Sequence, residues 1–196
     1  MPKSFHIKIV LVLIISGVLL RLVPHLPNFT PIAALTLFGA AYLPRKYALI
    51  LPLIAIAVSD YLLLYINPFG EKIFNFTQIY PLTAAFHDTT GWVWVSLMIS
   101  GLLGLLLQKK RGFVRVGTVT IISALQFYLL TNFGVWAAGA YARDLSGLFA
   151  SYVAALPFLR WTLLGDIFYT TSFFGLYEIA IRSASKKPAT PKLIKA

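Results

Sequence analysis

The sequence has no cysteine and only 6 acidic residues in a length of 196. The absence of cysteine excludes disulfide bonds, thiolate nucleophiles and cysteine-ligated metal centres. Charged residues make up 12% of the chain, whereas hydrophobic residues make up 59%. So few charges cannot cover the surface of a water-soluble domain, and so apolar a composition does not fit a disordered chain. The composition therefore predicts a multi-pass membrane protein.

The hydrophobic segments predict an all-α bundle of about six transmembrane helices, because a helix needs roughly 20 apolar residues to cross a bilayer. The predicted spans are about 5–23, 30–43, 47–66, 91–107, 116–136 and 161–181. The second is short enough to be tilted, re-entrant or placed where the bilayer thins. Residues 1–182 are expected to form one transmembrane domain, and 183–196 a basic cytoplasmic tail. No signal-peptide cleavage site follows the first span, so we expect that span to be retained.

The distribution of charge predicts that both termini are cytoplasmic. With six crossings, 13 of the 17 Lys and Arg residues fall on the same side of the membrane as the N-terminus, as the positive-inside rule requires. Five of the 6 acidic residues fall on the opposite side. Basic residues dispersed over loops and a tail indicate contact with anionic lipid and not with nucleic acid.

Polar side chains within the spans collect at one depth. At the helical rise, Asp60 and Asp166 each lie roughly 8–9 Å below the outer ends of their spans, and Asn132 lies roughly 6 Å below. Arg21 is near the outer end of the first span. Ionisable groups inside a membrane are costly and mark functional positions by default. The common depth predicts a shared ligand site or, as an alternative, a structural Arg–Asp lock.

The outer connections add aromatic and amide groups near this depth. Pro24–Pro31 contains three prolines, so we expect a stiff, non-helical segment. Flat aromatic faces with a few amides and charges are typical of a pocket for a small polar or heteroaromatic molecule, although single aromatic residues also fit an interfacial belt. The candidate ligand-binding residues are Arg21, His25, Asn28, Phe29, Asp60, Asn132, Phe133, Trp136, Tyr141 and Asp166.

Catalytic signatures are missing from the sequence. It has no HExxH, GxSxG, P-loop or GxGxxG motif, and no second pair supports His87-Asp88 as a metal or acid–base site. We therefore expect no enzymatic activity, no metal and no cofactor. The catalytic alternative is a pair of intramembrane carboxylates, Asp60 and Asp166, that share a proton.

A further alternative is a structural or accessory subunit of a larger membrane complex. Ser96, Ser100 and Gly104 recur every four residues on the fourth span and form a stripe of small side chains. Such a stripe allows another helix to approach closely. It favours packing within the chain, but in an accessory subunit it would face a partner.

Specific motifs occur across about residues 20–170. They are Pro27–Ala34, Leu37–Gly39, Ser59-Asp60, Thr131–Trp136, Ala154–Phe158 and Leu163–Asp166. In these motifs the sequence resembles an uncharacterised bacterial inner-membrane family that is grouped with the substrate-binding S components of energy-coupling-factor (ECF) vitamin transporters.

The resemblance implies six helices, a multi-pass inner-membrane location and no enzymatic activity of the chain itself. It also implies a small-molecule pocket near the extracytoplasmic face, with the first outer connection as a lid. Uptake would require a membrane coupling protein and two ATPases as partners. One departure is that S components often carry an Ala-x-x-x-Ala patch on the first helix for docking, whereas the first span here offers Ser16-Gly17.

Because the chain has no cysteine, single cysteine substitutions can test the predicted topology without background labelling of other cysteines. In spheroplasts, a membrane-impermeant maleimide should label the His25→Cys and Thr77→Cys variants. It should leave the Lys46→Cys and Lys110→Cys variants unlabelled until the membrane is opened. Labelling of His25→Cys and Lys46→Cys from the same side would show that the short second segment does not cross.

Overall fold

The computed structural model describes residues 3–68 and 73–185, which form an all-helical bundle. Its α-helices are α1 (Lys3–Arg21), α2 (Ile32–Tyr42), α3 (Arg45–Ala48), α4 (Ile50–Leu62), α5 (Thr90–Leu105), α6 (Phe113–Ala137) and α7 (Leu145–Ser185), with a 3-10 turn at Leu82–Ala85. The predicted all-α class is confirmed. Most of the predicted basic tail, 186–196, lies outside the described residues.

Three helices of the described chain are long and apolar enough to cross a membrane. They are α1 from Ser4 onward, α6 and α7, whereas α2 and α5 are apolar but shorter. Large apolar side chains such as Ile54, Leu129 and Leu164 are about half exposed on the outside of the bundle. An apolar outer surface is stable against lipid and unfavourable against water, so the architecture is compatible with a membrane protein.

Helix α2 lies at the centre of the bundle. Nine of its 11 residues, from Ala33 to Ala41, are buried, because it is apolar on every side and packs against α1, α4, α5, α6 and α7. Phe38 makes ring contacts with Phe173, Phe174 and Tyr177 of α7. At 1.5 Å per residue α2 is only about 16 Å long. At its C-terminal end, the Gln108 side chain donates to the Ala40 and Leu43 carbonyl oxygens, so protein groups satisfy part of the polar backbone there.

The stripe of small residues on α5 is used for packing inside the chain. At Gly104 a Cβ atom would lie 2.7 Å from the Ala40 Cβ atom and 2.9 Å from the Leu37 carbonyl oxygen. On α6, the Ser123 hydroxyl donates to the Ser100 hydroxyl at 2.8 Å. The stripe brings α5 against α2 and α6, so the alternative in which it faces a partner is wrong.

Two predicted segments differ from the structure. The third span is divided into α3 and α4 at Leu49. The expected connection at 137–160 is wrong from Leu145 onward, because α7 runs without interruption from Leu145 to Ser185 and contains the whole sixth span. Residues 145–156, which could have formed a separate interfacial helix, are instead the first part of α7 and continue into the last span. Its N-terminal half packs on α6, where the Ser151 hydroxyl donates to the Asn132 carbonyl oxygen at 2.9 Å.

Asp144 caps the start of α7. Its Oδ1 accepts hydrogen bonds from the Gly147 backbone N–H at 2.7 Å and from the Ser146 hydroxyl at 2.8 Å. These hydrogen bonds, the backbone one foremost, lower the pKa of Asp144 below its usual range. The carboxylate therefore caps the helix in its charged form at neutral pH.

Candidate functional site

A cavity of about 220 Å³ lies at the end of the bundle where α1 and α4 finish and where α2 and α5 begin. Its apolar walls come from α2, α4, α5 and α6. Its polar lining consists of Arg21, Asn28, Thr30, Asp60, His87, Thr162 and Asp166. These polar residues come from three helices and two connections, so the cavity exists only in the folded bundle.

Arg21 and Asp60 form an ion pair at the wall of this cavity. One guanidinium nitrogen of Arg21 contacts Asp60 Oδ1 and also donates to the Ser59 hydroxyl. Ser59 in turn donates to the Ile56 carbonyl oxygen at 2.9 Å. The two charged side chains are 16% and 22% exposed. The pair joins the end of α1 to α4, and each charge neutralises the other.

Asp166 is the second carboxyl group of the cavity, and its environment is different. It is 3% exposed, and no hydrogen bond to it comes from any residue that the structure describes. Its Oδ2 atom is completely buried. Thr162, one helical turn earlier, also lines the cavity, but its hydroxyl donates to the Phe158 carbonyl oxygen. A buried carboxyl group without a donor or a counter-charge is costly, so Asp166 needs a donor that these residues do not provide.

The connection between α1 and α2 contributes a tight turn to the wall of the cavity. The Phe29 N–H donates to the Leu26 carbonyl oxygen at 2.9 Å, and Asn28 between them has φ 63°. Pro27 holds the preceding position near its fixed negative φ, so the geometry fits a type II turn. Asparagine tolerates the left-handed conformation better than most residues. The turn places Asn28 in the lining of the cavity.

The same connection is pressed against α7 beside Asp166. A Cβ atom at Gly165 would lie 3.0 Å from the Phe29 Cα atom and 3.3 Å from the Thr30 nitrogen. The Phe29 ring packs against Phe168 and Tyr169, with centroids 5.6 and 5.4 Å apart. Phe29 therefore fixes the connection to α7 and does not line the cavity.

Asn132 lines a neighbouring cavity of about 250 Å³. The two cavities share Asn28, Val93, Phe127 and Thr162 in their walls. The Asn132 side-chain amide donates to the Tyr128 carbonyl oxygen at 2.8 Å, within its own helix. Its helix directs Asn132 to the second cavity.

The remaining candidate residues lie outside both cavities. Phe133 contacts the Trp92 and Trp136 rings at 5.1 and 5.3 Å, and the Trp136 indole N–H donates to the Ala142 carbonyl oxygen. Tyr141 is absent from both linings, as is His25, whose Nδ1 lies 2.7 Å from the Val23 carbonyl oxygen. The structure thus brings together Arg21, Asn28, Asp60 and Asp166. Their role in binding stays a prediction.

Nine lining residues were not among the candidates, and four of these are polar or aromatic: Thr30, His87, Phe127 and Thr162. Thr162 lies four residues before Asp166 within the predicted sixth span, so helical spacing alone would have found it. His87 belongs to a long connection whose path the sequence does not determine. Its Nδ1 lies 2.9 Å from the Thr89 hydroxyl.

A larger groove of about 490 Å³ lies between α6 and α7 near the opposite end of the bundle. Its charged groups already have partners. Arg111 donates to the Ala41 carbonyl oxygen and lies over the Tyr42 ring, and Arg182 pairs with Glu178. The smaller cavity is the better candidate site because a buried carboxyl group there has no partner.

The close contact at Gly165 predicts a difference between two glycines of α7. Both Gly165→Ala and Gly175→Ala should gain helix propensity, about 1 kcal/mol each. Gly175 has open space around it, whereas a methyl group at Gly165 would crowd the backbone at Phe29 and Thr30. We expect Gly165→Ala to be less stable than Gly175→Ala by about 1–3 kcal/mol in detergent unfolding. Equal stabilities would contradict this close contact between α7 and the connection before α2.

The shielding of the Arg21–Asp60 pair predicts a strong coupling between its members. A double-mutant cycle with Arg21→Gln and Asp60→Asn should give a coupling energy of about 1–3 kcal/mol in unfolding. The exposed Arg182–Glu178 pair, 3.8 Å apart, is the matched control. Its cycle should give less than about 0.5 kcal/mol. A coupling at Arg21–Asp60 no larger than the control would refute the structural pair.

Comparison with known proteins gives a family and no function. A model of a family of unknown function, DUF6580, matches residues 3–190. No curated protein and no solved structure matches the chain. Because the match spans almost the entire sequence, the chain belongs to the DUF6580 family.

Proposed function

We propose that this protein is the substrate-binding membrane subunit of an uptake system for a small nutrient. The observation that carries the proposal is the cavity beneath Pro24–Pro31, in which the buried Asp166 has no partner among the described residues. Ligand pockets are typically apolar cavities with a few convergent polar groups that fix orientation. Asn28, the Arg21–Asp60 pair and Asp166 have this arrangement.

The proposed placement has six crossings, cytoplasmic termini and a cavity that opens to the extracytoplasmic side of an inner membrane. The positive-inside distribution of charge supports this orientation. In it, α3 and α4 together make the third crossing, and α2 makes the second inside a shell of protein. Pro24–Pro31 and the connection that carries His87 then lie at the outer face, as a lid over an outward-facing pocket requires.

Binding is a better proposal than catalysis by Asp60 and Asp166. A carboxylate dyad works when two carboxyl groups share one proton. Here the Asp60 carboxyl group contacts the Arg21 guanidinium group, so its partner is a counter-charge and not a second carboxyl group. The pair thus supports a role in shaping the cavity.

Uptake through this subunit would require energy from other proteins. The sequence has no P-loop, so nucleotide hydrolysis would come from separate ATPases acting through a membrane coupling protein. The first helix lacks the Ala-x-x-x-Ala patch of many S components. We therefore propose that docking of a coupling protein uses a surface other than that patch.

The Arg21–Asp60–Ser59 network also favours a second function, that of an accessory subunit in which polar groups only lock helices together. The two functions differ in what they require of the cavity. A lock needs Arg21 and Asp60 but has no use for an unpartnered Asp166.

A metabolite screen tests the binding function. Purified protein in detergent is heated with single members of a panel of water-soluble vitamins, nucleobases, amino acids and metal chelates. A compound present at 100 times its Kd should stabilise the fold by about 2.7 kcal/mol and raise the Tm. Failure of every compound, together with a stoichiometric protein partner in native membranes, would favour the accessory function.

The variant Asn28→Gly connects a positive result to the cavity. Glycine accepts the positive φ of this position, so the turn is kept while the amide is removed. Affinity for the compound should fall at least tenfold. Asn75→Ala is the control, because Asn75 lies in the next outer connection and does not line the cavity. A loss of affinity in both variants would refute the assignment to the cavity.

A further inference from the structure

The charges around the cavity do not balance. Four ionisable side chains line it: Arg21, Asp60, His87 and Asp166. Arg21 and Asp60 neutralise each other through direct contact. His87 has one ring nitrogen near the Thr89 hydroxyl and an exposed position. Asp166 therefore remains as the one acid of this lining without a counter-charge.

The burial of Asp166 makes this imbalance informative about the ligand. An exposed carboxylate is satisfied by water, but Asp166 is 3% exposed and accepts no hydrogen bond from the described residues. Ionising an isolated buried carboxyl group costs several kcal/mol unless a cation or several donors are supplied. A ligand that brings a positive charge or N–H donors would remove this cost. A ligand that brings an anion would increase it.

The volume of the cavity limits the size of the charged group that a ligand can place in it. A cavity of about 150 Å³ in another protein is known to hold one benzene molecule. At about 220 Å³, this cavity can take a single ring with one small substituent. Its walls include Ile56, Leu97 and Phe127, which would contact the faces of such a ring.

We propose that the cavity selects an organic cation, with a ring-sized head that carries a protonated amine or an amidine and donates to Asp166. The inference rests on the proposed binding function and specifies its substrate class. Any second, uncharged part of the ligand would occupy the adjoining cavity of about 250 Å³, where Tyr128, Asn132 and Phe158 form the wall. The Arg21–Asp60 pair serves as a neutral polar wall and does not bind an anion.

Three probe molecules that share one shape and size distinguish the effect of ligand charge from the effect of steric fit. Benzamidine is a cation at neutral pH, benzamide is neutral and benzoate is an anion. Each is titrated into the full-length protein in detergent, and the affinity is measured by calorimetry and by the shift in Tm. We expect benzamidine to bind at least tenfold more tightly than benzamide, and benzoate to bind more weakly than both.

Two variants on the same helix assign the preference to Asp166. Asp166→Asn keeps the shape and removes the charge, so benzamidine and benzamide should bind with affinities within about twofold of each other. Glu178→Gln removes a carboxylate that is exposed and outside the cavity, and it should keep the tenfold preference. The panel on the unmodified protein decides the charge preference even if Asp166→Asn does not fold.

The outcomes separate this inference from the binding function. No binding of benzamidine, or binding no tighter than that of benzamide, overturns the cation site. The binding function then stands if the metabolite screen yields a ligand that Asn28→Gly weakens, and it fails if the screen yields none. A preference for benzamidine that survives in Asp166→Asn also overturns the assignment to Asp166, because another group would then recognise the charge of the ligand.

Discussion

Charge is costly inside an apolar helix bundle, and the contact between Arg21 and Asp60 determines how that cost is met in this protein. The guanidinium group could in principle neutralise either of the two carboxyl groups that line the cavity. It contacts Asp60, where Ser59 supplies a second acceptor on the same helical turn. Arg21 is therefore not available to balance Asp166. The chemistry of the cavity follows from this pairing, since it leaves one acidic group free to meet a ligand.

The positions of these groups depend on how closely the helices approach one another. Gly104 lets α5 touch α2, and the buried α2 holds the bundle together around it. The connection that precedes α2 emerges beside the cavity, and Gly165 lets its backbone lie directly on α7. Close packing of the core and closure of the cavity are thus two results of the same arrangement of α2.

The sequence predicted the helices well where hydrophobicity alone decides. The first, fourth and fifth predicted spans agree with α1, α5 and α6 to within three residues at each end. It failed at α7, where Pro157 and Arg160 favoured a break before the last span. Packing of Ser151 and Tyr152 against α6 stabilises a helix there despite the proline. Local preferences were overridden by tertiary contacts that a single sequence does not display.

Spacing along the helices grouped the residues of the site, but it did not determine the direction in which each side chain points. The helical rise placed Asp60, Asn132 and Asp166 near one level, and all three line one of the two adjoining cavities. Rotation about each helix axis decides which cavity a side chain faces, and it depends on contacts with other helices. Phe133 shows the effect, because it is adjacent to Asn132 in sequence yet packs on Trp92.

Asp60 and Asp166 were equivalent in the sequence and are not equivalent in the fold. The stability of the fold explains the presence of Asp60, because this residue has a counter-charge and its ion pair connects two helices. It does not explain Asp166, because an apolar side chain of similar size would fill the same place without the cost of an unpartnered polar group. A residue that opposes the stability of its own surroundings is expected where function requires it. Because Asp166 lines a cavity of about 220 Å³, the proposed contact with a small molecule would account for its presence there.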